Sequence, residues 1–425
     1  MAVDKNLFLY DLAVVAIMKN EGPYVKEWLD YHLLAGVNHF YIYDNESPDN
    51  QKEVLQPYID AGIVTYIFYP GKARQYEAYD DATKNFKFFC RYMAFIDADE
   101  FIFPQKNQSI VEVLDEILSD KPDASGLSVN WHLFGSNNLE KADLTKGVLE
   151  RFTKRASDEN IPIDYKINFP GGNATVKLIA NPRRLDYFFN PHFANYPVDF
   201  SAVNENGEPV RFHLNNPPTV EKIVLNHYCM KSREEYEKKV QRGAADFTFN
   251  VYSRHPFEHI YNDEFDDSIL KYRDSREKFS IENEEEIKKR VKKALEKNLL
   301  SVSPNNVPEN FFEDKMETFL TCLVVSEKFE LKVQDKPLSQ YALFWIQQTI
   351  YQKNSAADWL LLFDSLPEIL RIPGAITQKI CLRCIEMIPV IIEYLRIYIR
   401  SERVQTDWQK ISELQYLQRM LKSLF

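Results

Sequence analysis

Three carboxylates stand within four positions at Asp97-Ala98-Asp99-Glu100, directly after the apolar stretch Tyr92–Ile96. Like charges this close repel, so holding them at a strand end calls for a compensating cation. Carboxylate oxygens suit Mg²⁺ or Mn²⁺, ions that also bind a substrate diphosphate. If the strand continues through the motif, Asp97 and Asp99 point the same way and can face one metal. The competing reading is an acidic surface turn. His227 follows the apolar run Ile223–Leu225 and is the candidate third ligand, with His192 behind it. A histidine must be neutral to ligate, so metal affinity is expected to fall in acid. For either histidine the competing reading is a hydrogen-bonded structural residue.

Other polar groups cluster where strands should end. Asn20, Glu21 and Asp44, with Asn45 beside it, are candidates to contact a ligand. Glu21 could instead be a helix N-terminal charge beside Pro23, and Asp44-Asn45-Glu46-Ser47-Pro48 a plain turn. Lys231 and Arg242 are candidate diphosphate cations, and Ser232 with Glu235 forms a capping-box pattern that opens a charged helix. Trp131 and Phe134 could form an apolar platform, or belong to the core. Cys381 and Cys384 lack a second pair for zinc and read as buried neighbours on one helix face.

The elements that must position these groups follow from periodicity. Leu12–Met18 is a continuous apolar run, as expected of a strand covered on both faces. Val25, Trp28, Leu29, His32 and Leu33 then recur at helical spacing, with Gly36 as terminator. His39–Tyr43, Ile63–Tyr69 and Tyr92–Ile96 read as strands, and 50–61 and 75–88 as helices. Strand and helix in alternation predict a mostly parallel, Rossmann-like sheet with helices on both faces, whose ligand lies beyond the carboxyl ends of the strands. Residues 105–260 are less regular, with Val210–His213 and Lys222–His227 as further strands, and 311–425 reads as helices rich in Leu, Ile, Trp and Tyr.

The chain has 425 residues, 45% hydrophobic and 27% charged, with a formal net charge of -11. That balance fits a globular protein and argues against a nucleic-acid-binding surface. Five cysteines do not make a disulfide framework. Ile385–Ile399 is the longest apolar candidate but is interrupted by Glu386, Glu393 and Arg396, too many charges for a membrane span.

Taken in order, several blocks resemble glycosyltransferase family 92 and its relatives in the family-2-like group. They are Lys19-Asn20-Glu21, Trp28, Tyr31-His32 and Gly36; Tyr43-Asp44-Asn45 with Ser47 and Asp49; Gln75 with Ala78-Tyr79; and Asp97-Ala98-Asp99-Glu100-Phe101. Trp131 with Phe134-Gly135-Ser136 follows, then Asn226-His227-Tyr228, Lys231-Ser232 and Arg242-Gly243-Ala244-Ala245-Asp246. The resemblance spans about residues 11–250 and takes in nothing beyond 265. It implies a GT-A fold and a metal-dependent, inverting transfer from a UDP-sugar, with galactose favoured. It implies that Asn20, Glu21 and Asp44 meet the base and ribose, adds Gln75 to the donor site, makes Trp131 and Phe134 a candidate platform for an acceptor sugar, and makes Asp246 a candidate general base, alongside Glu100.

The reading is then an α/β GT-A catalytic domain over 1–265 and an all-α domain over 266–425. The metal set is Asp97, Asp99 and His227. The donor set is Asn20, Glu21, Asp44, Asn45, Gln75, Asp97, Lys231 and Arg242. Mn²⁺ or Mg²⁺ is the expected cofactor, and the acceptor is expected to be a glycan or lipid-linked glycan of a bacterial surface polysaccharide. The C-terminal helices are expected to dock, to form homo-oligomers or to pack on themselves. The expected setting is the cytoplasm, peripheral at the inner membrane face. The alternatives are a metal-dependent nucleotide-sugar hydrolase, which needs no acceptor, and a non-catalytic scaffold, which binds no nucleotide.

Overall fold

The computed structural model describes residues 3–159, 163–164, 169–197, 200–245, 257–277, 281–300, 315–351, 355–370, 378–402 and 407–424. The chain forms two compact units. One comprises Tyr10–Tyr196 with Phe200–Ile281; the other comprises Met1–Leu9, Pro197–Asp199 and Glu282–Phe425. The larger unit therefore runs past the 265/266 boundary placed from composition. Ile269 and Tyr272 explain why, since both lie in its apolar core.

The larger unit opens as the periodicity predicts. The first strand, β1 (Tyr10–Met18), leads to helix α1 (Val25–Leu34) and β2 (His39–Asp44). Helix α2 (Gln51–Asp60), β3 (Val64–Phe68), helix α3 (Gln75–Phe86) and β4 (Cys90–Phe95) follow. These four strands are parallel, in the order β3-β2-β1-β4. Alternate residues of β1 feed two cores: Leu12, Val14, Ala16 and Met18 pack with Trp28 and Leu29 of α1, while Ala13, Val15 and Ile17 pack with Ala78, Tyr79 and Ala82 of α3. A continuous apolar run is what such two-sided burial requires. Gly36 ends α1 with φ +104, a conformation that residues with a Cβ avoid.

The rest of the sheet is mixed. Strands β5 (Glu100–Pro104) and β6 (Ala124–Leu133) and the strands Val176–Ala180, Ser201–Val203 and Ile223–His227 complete nine strands. Val176–Ala180 joins β4 to β6 antiparallel to both, and Ile223–His227 joins β6 to β5. This mixed half was not visible in the sequence beyond Lys222–His227. Val210–His213, read there as a strand, is instead a turn in which Phe212 takes φ +61. A ladder cannot continue through a residue in that conformation.

Strand β5 ends the sheet, and α1 covers its outer edge. Trp28 Nε1 donates to the Glu100 carbonyl at 2.8 Å and the Tyr31 hydroxyl to the Ile102 carbonyl at 3.0 Å. The Ile102 N–H donates to His32 Nε2 at 3.3 Å, and His32 Nδ1–H donates to the Trp28 carbonyl at 2.8 Å. Edge groups left unpaired in a core are costly, and these side chains satisfy them. His32 must stay neutral to accept from Ile102, and burial depresses its pKa to about 3. Its stabilising contribution is full above the ordinary value of 6.5 and falls away as the pH drops from 6.5 toward about 3. Stability should then lose about 1.4 kcal/mol per pH unit across that window from this group. Chemical denaturation between pH 7 and pH 4 checks it: His32→Gln should show a shallower acid slope than the wild-type chain.

The smaller unit is helical, as expected. Its described helices are Glu284–Leu300, Met316–Lys328, Leu338–Ile350, Ala356–Leu370, Gln378–Glu402 and Asp407–Ser423. Arg290 anchors the N-terminal segment by donating to the Phe8 carbonyl at 2.9 Å. Cys381 and Cys384 are buried free thiols, as their spacing suggested. No described helix is long and apolar enough to cross a membrane.

Candidate active site

Beyond the carboxyl ends of β1, β2 and β4 lies a cavity of about 860 Å³. The acidic motif forms its floor, but not as a continued strand. A turn closed by the Glu100 N–H on the Asp97 carbonyl, at 3.1 Å, separates β4 from β5. Asp97 and Asp99 therefore have different partners, which corrects the expectation that both face one metal. Lys177 Nζ donates to Asp97 Oδ2 at 2.8 Å and Gln75 Nε2 to Asp97 Oδ1 at 2.7 Å. Each Asp97 oxygen thus accepts one hydrogen bond inside the protein and keeps further acceptor capacity, and the side chain, 36% exposed, lines the cavity.

Asp99 meets a different set. Lys239 Nζ lies 2.7 Å from its Oδ2, and His227 Nε2 lies 3.6 Å from its Oδ1. Burial pushes the Asp99 carboxyl up, but Lys239, His227 and Lys231 together hold it well below the usual carboxylate range. The His227 ring packs on Trp131 with centroids 4.4 Å apart, and its Nδ1 has no hydrogen-bond partner among the described residues. Among the described residues no group of three or more His, Cys, Asp or Glu is placed to hold a metal ion. Asp99 and His227 still fit as a pair of ligands, one carboxylate and one imidazole close enough to share an ion. Diphosphate oxygens and water would complete the shell, the usual arrangement for a hard ion on a nucleotide. His192 also lines the cavity, but its Nδ1 lies 3.0 Å from the Val176 carbonyl and burial keeps it neutral.

Glu100 cannot act as a base on an acceptor. It is 0% exposed and does not line the cavity. Its Oε2 accepts from the Asp97 N–H at 2.8 Å and lies 3.5 Å from Lys177 Nζ. Burial pushes the Glu100 carboxyl up, while the two acids hold the Lys177 ammonium well above the ordinary lysine range. Its role is to brace the turn. The other candidate base, Asp246, lies outside the described residues; Ala244 and Ala245 beside it line the cavity.

The helix Arg233–Arg242 supplies cations. Ser232 and Glu235 form the full capping box at its start, as the sequence suggested. Glu235 also takes both guanidinium nitrogens of Arg151 at 2.9 Å, which fixes the helix to the larger unit. Its inward face presents Lys239 and Arg242 to the cavity. Arg242 pairs with Glu21 and donates to the Lys19 carbonyl at 2.8 Å. Lys231 sits over the Tyr24 ring, 3.7 Å from its centroid, and burial pulls its pKa down.

The remaining candidates divide. Asn45 and Gln75 line the cavity. The Asp44 carboxylate does not, being taken by the Tyr66 hydroxyl at 2.6 Å and the Ser47 N–H at 2.9 Å. Asn20 donates its backbone N–H to Ser47 and lines a neighbouring cavity. Trp131 lines the main cavity, whereas Phe134 is buried against Tyr228 and is unavailable to a sugar.

Sequence reasoning missed Lys177 and Lys239. A lysine inside the apolar run Val176–Ala180 was the signal for the first, and spacing of three residues from Arg242 on one helix for the second. It also missed what Gly135-Ser136 does. A Cβ at Gly135 would lie 2.4 Å from the Ile260 carbonyl oxygen, so the chain at 258–261, which lines the cavity, crosses at backbone distance. Ser136 Oγ lies 2.7 Å from His259 Nδ1, and His259 Nε2 lies 2.9 Å from Glu140 Oε1. Ser136 is fully buried, so this chain clasps the crossing segment and offers no nucleophile.

The sequence model of glycosyltransferase family 92 matches residues 16–295. The chain belongs to that family. It is 31% identical to a family 92 protein of Oryza sativa subsp. japonica over 34% of this chain and 25% of the relative. It is 26% identical to one of Ricinus communis over 56% of this chain and 39% of the relative. A family 92 protein of Arabidopsis thaliana is 28% identical over 56% of this chain and 38% of that protein. The chain thus spans between 25% and 39% of the length of these relatives. Among solved structures, Staphylococcus aureus TarS residues 1–349 in complex with UDP is 13% identical, covering 80% of this chain and 88% of that one, with a TM-score of 0.28. Family membership and the parallel β3-β2-β1-β4 half-sheet with its acidic turn agree with the GT-A expectation for this family 92 chain.

Proposed function

We propose that this family 92 chain transfers a sugar, galactose in the leading case, from a UDP-sugar to a hydroxyl of a glycan acceptor with inversion. The observation that carries this is the pairing of Asp99 with His227 beside Lys239 in the main cavity. A carboxylate and an imidazole at one point, with ammonium and guanidinium groups of Lys239 and Arg242 around them, suit a metal-bound diphosphate. A divalent ion held there would act as a Lewis acid on the charge that develops as the diphosphate leaves.

The chain's own residues supply the remaining work. Lys239 and Arg242 carry positive charge on the cavity wall and stabilise the leaving diphosphate. Asp97, fixed by Lys177 and Gln75, presents an acceptor edge to donor hydroxyls. Trp131 offers an aromatic wall next to His227. We assign Asp246 as the base that takes the acceptor proton, in keeping with the cavity-lining Ala244 and Ala245 that precede it. We place the reaction in the cytoplasm, on a growing or lipid-linked surface glycan.

Binding tests this directly. UDP with Mn²⁺ should raise the melting temperature of the chain, and EDTA should remove that rise. No stabilisation by any nucleotide would move the chain to the scaffold reading. Sugar released from the donor at the same rate with and without acceptor glycans would make it a hydrolase.

A further inference from the structure

A second cavity, of about 460 Å³, adjoins the first. Glu21, Asp99, Lys239 and Arg242 line both, so the two ion pairs they form stand at the shared wall. Lys231 lines only the second. It is 9% exposed, and among the described residues it forms no hydrogen bond or ion pair; its one close partner is the Tyr24 ring. Glu21, Asp99 and Glu235 act on its charge without touching it; an ammonium taken out of water with no acid in contact is costly, and an aromatic face offsets that cost only in part. The backbone sets it there deliberately, since Lys231 takes φ +49, which a β-carbon disfavours. The same cavity is lined by apolar Pro23, Leu144 and Met230, by Asp49, Glu235 and Lys238, and by Asn20, whose Oδ1 has no hydrogen-bond partner among the described residues. A cation, an amide oxygen and an apolar wall are what a charged sugar needs.

We propose that this second cavity binds an anionic group of the acceptor, a phosphate or a carboxylate, with Lys231 as its counter-charge. The inference rests on the transferase reading and names the acceptor class for it. The donor diphosphate already has Lys239 and Arg242 in the main cavity, which Lys231 does not line. A neutral acceptor would leave the Lys231 ammonium with no acid in contact among the described residues, only the more distant charges of Glu21, Asp99 and Glu235.

The test is calorimetric titration of the full chain saturated with UDP and Mn²⁺, with glucose 6-phosphate, glucuronate and glucose as probes. Binding of glucose 6-phosphate or glucuronate, but not glucose, is expected, and which of the two binds more tightly identifies phosphate or carboxylate. Lys231→Asn, whose new side chain tolerates the left-handed backbone, should weaken that binding at least about tenfold, and Lys231→Arg should keep it. Equal binding of all three sugars, binding of none, or binding unchanged in Lys231→Asn would overturn the proposal while the transferase reading stands. Failure of UDP to bind in the preceding titration would overturn the transferase reading and the acceptor role with it.

Discussion

Replacing Asp99 by Asn should abolish metal-dependent UDP binding and lower transfer by roughly a hundredfold to a thousandfold, the scale seen when a group that stabilises developing charge is lost. The substitution keeps shape and removes charge. Asp99 is the acid on which Lys239 and His227 converge, and its carboxyl is held ionised by them. An amide offers a hard cation a weaker donor and leaves Lys239 without its partner acid. Asp97→Asn should behave differently. Its carboxylate is held by Lys177 and Gln75, apart from Lys239 and His227, so the variant should weaken donor binding yet keep its dependence on Mn²⁺. Melting temperatures with UDP, titrated against Mn²⁺, separate the two. Equal loss of metal dependence in both variants would restore Asp97 to the metal and refute the division of roles drawn from the turn.

That division shows where sequence reasoning reaches its limit. The parallel half of the larger unit was legible because two-sided burial writes a continuous apolar run, and helices write period 3.6. The acidic motif was legible because carboxylates seldom crowd together without a cation. Its geometry was not, because one hydrogen bond between Glu100 and Asp97 turns the chain and sends the two aspartates to different partners. The antiparallel strands escaped notice for a related reason. They come from distant, short segments such as Val176–Ala180, whose pairing depends on contacts that no local pattern records. Phe134 and Trp131 read alike as aromatics in one block, yet register puts one in the core and the other at the cavity. Lys239 was the largest omission at the cavity, since a lysine on a charged helix looks like solvent-facing decoration until the helix is docked.

Lys177 is the residue whose loss should cost the fold most. It is fully buried on a central strand and joins Asp97 at 2.8 Å to Glu100 at 3.5 Å. Lys177→Met keeps most of the volume but leaves Glu100 as a buried acid with no cation, a change worth about 3–5 kcal/mol when one partner of a buried pair is removed. It also frees Asp97 Oδ2, so the turn that carries Asp99 loses a brace. Small displacements of a positioning group can cost on the order of a hundredfold in rate. The double variant Lys177→Met with Glu100→Gln separates these effects. Removing the stranded charge should recover most of the stability, because a Gln carbonyl can still accept from the Asp97 N–H. Activity should stay low, because Asp97 still lacks its ammonium. Denaturant midpoints and kcat/KM on the same preparations check both. Recovery of activity together with stability would mean that Lys177 serves only to neutralise Glu100, and that the position of Asp97 does not depend on it.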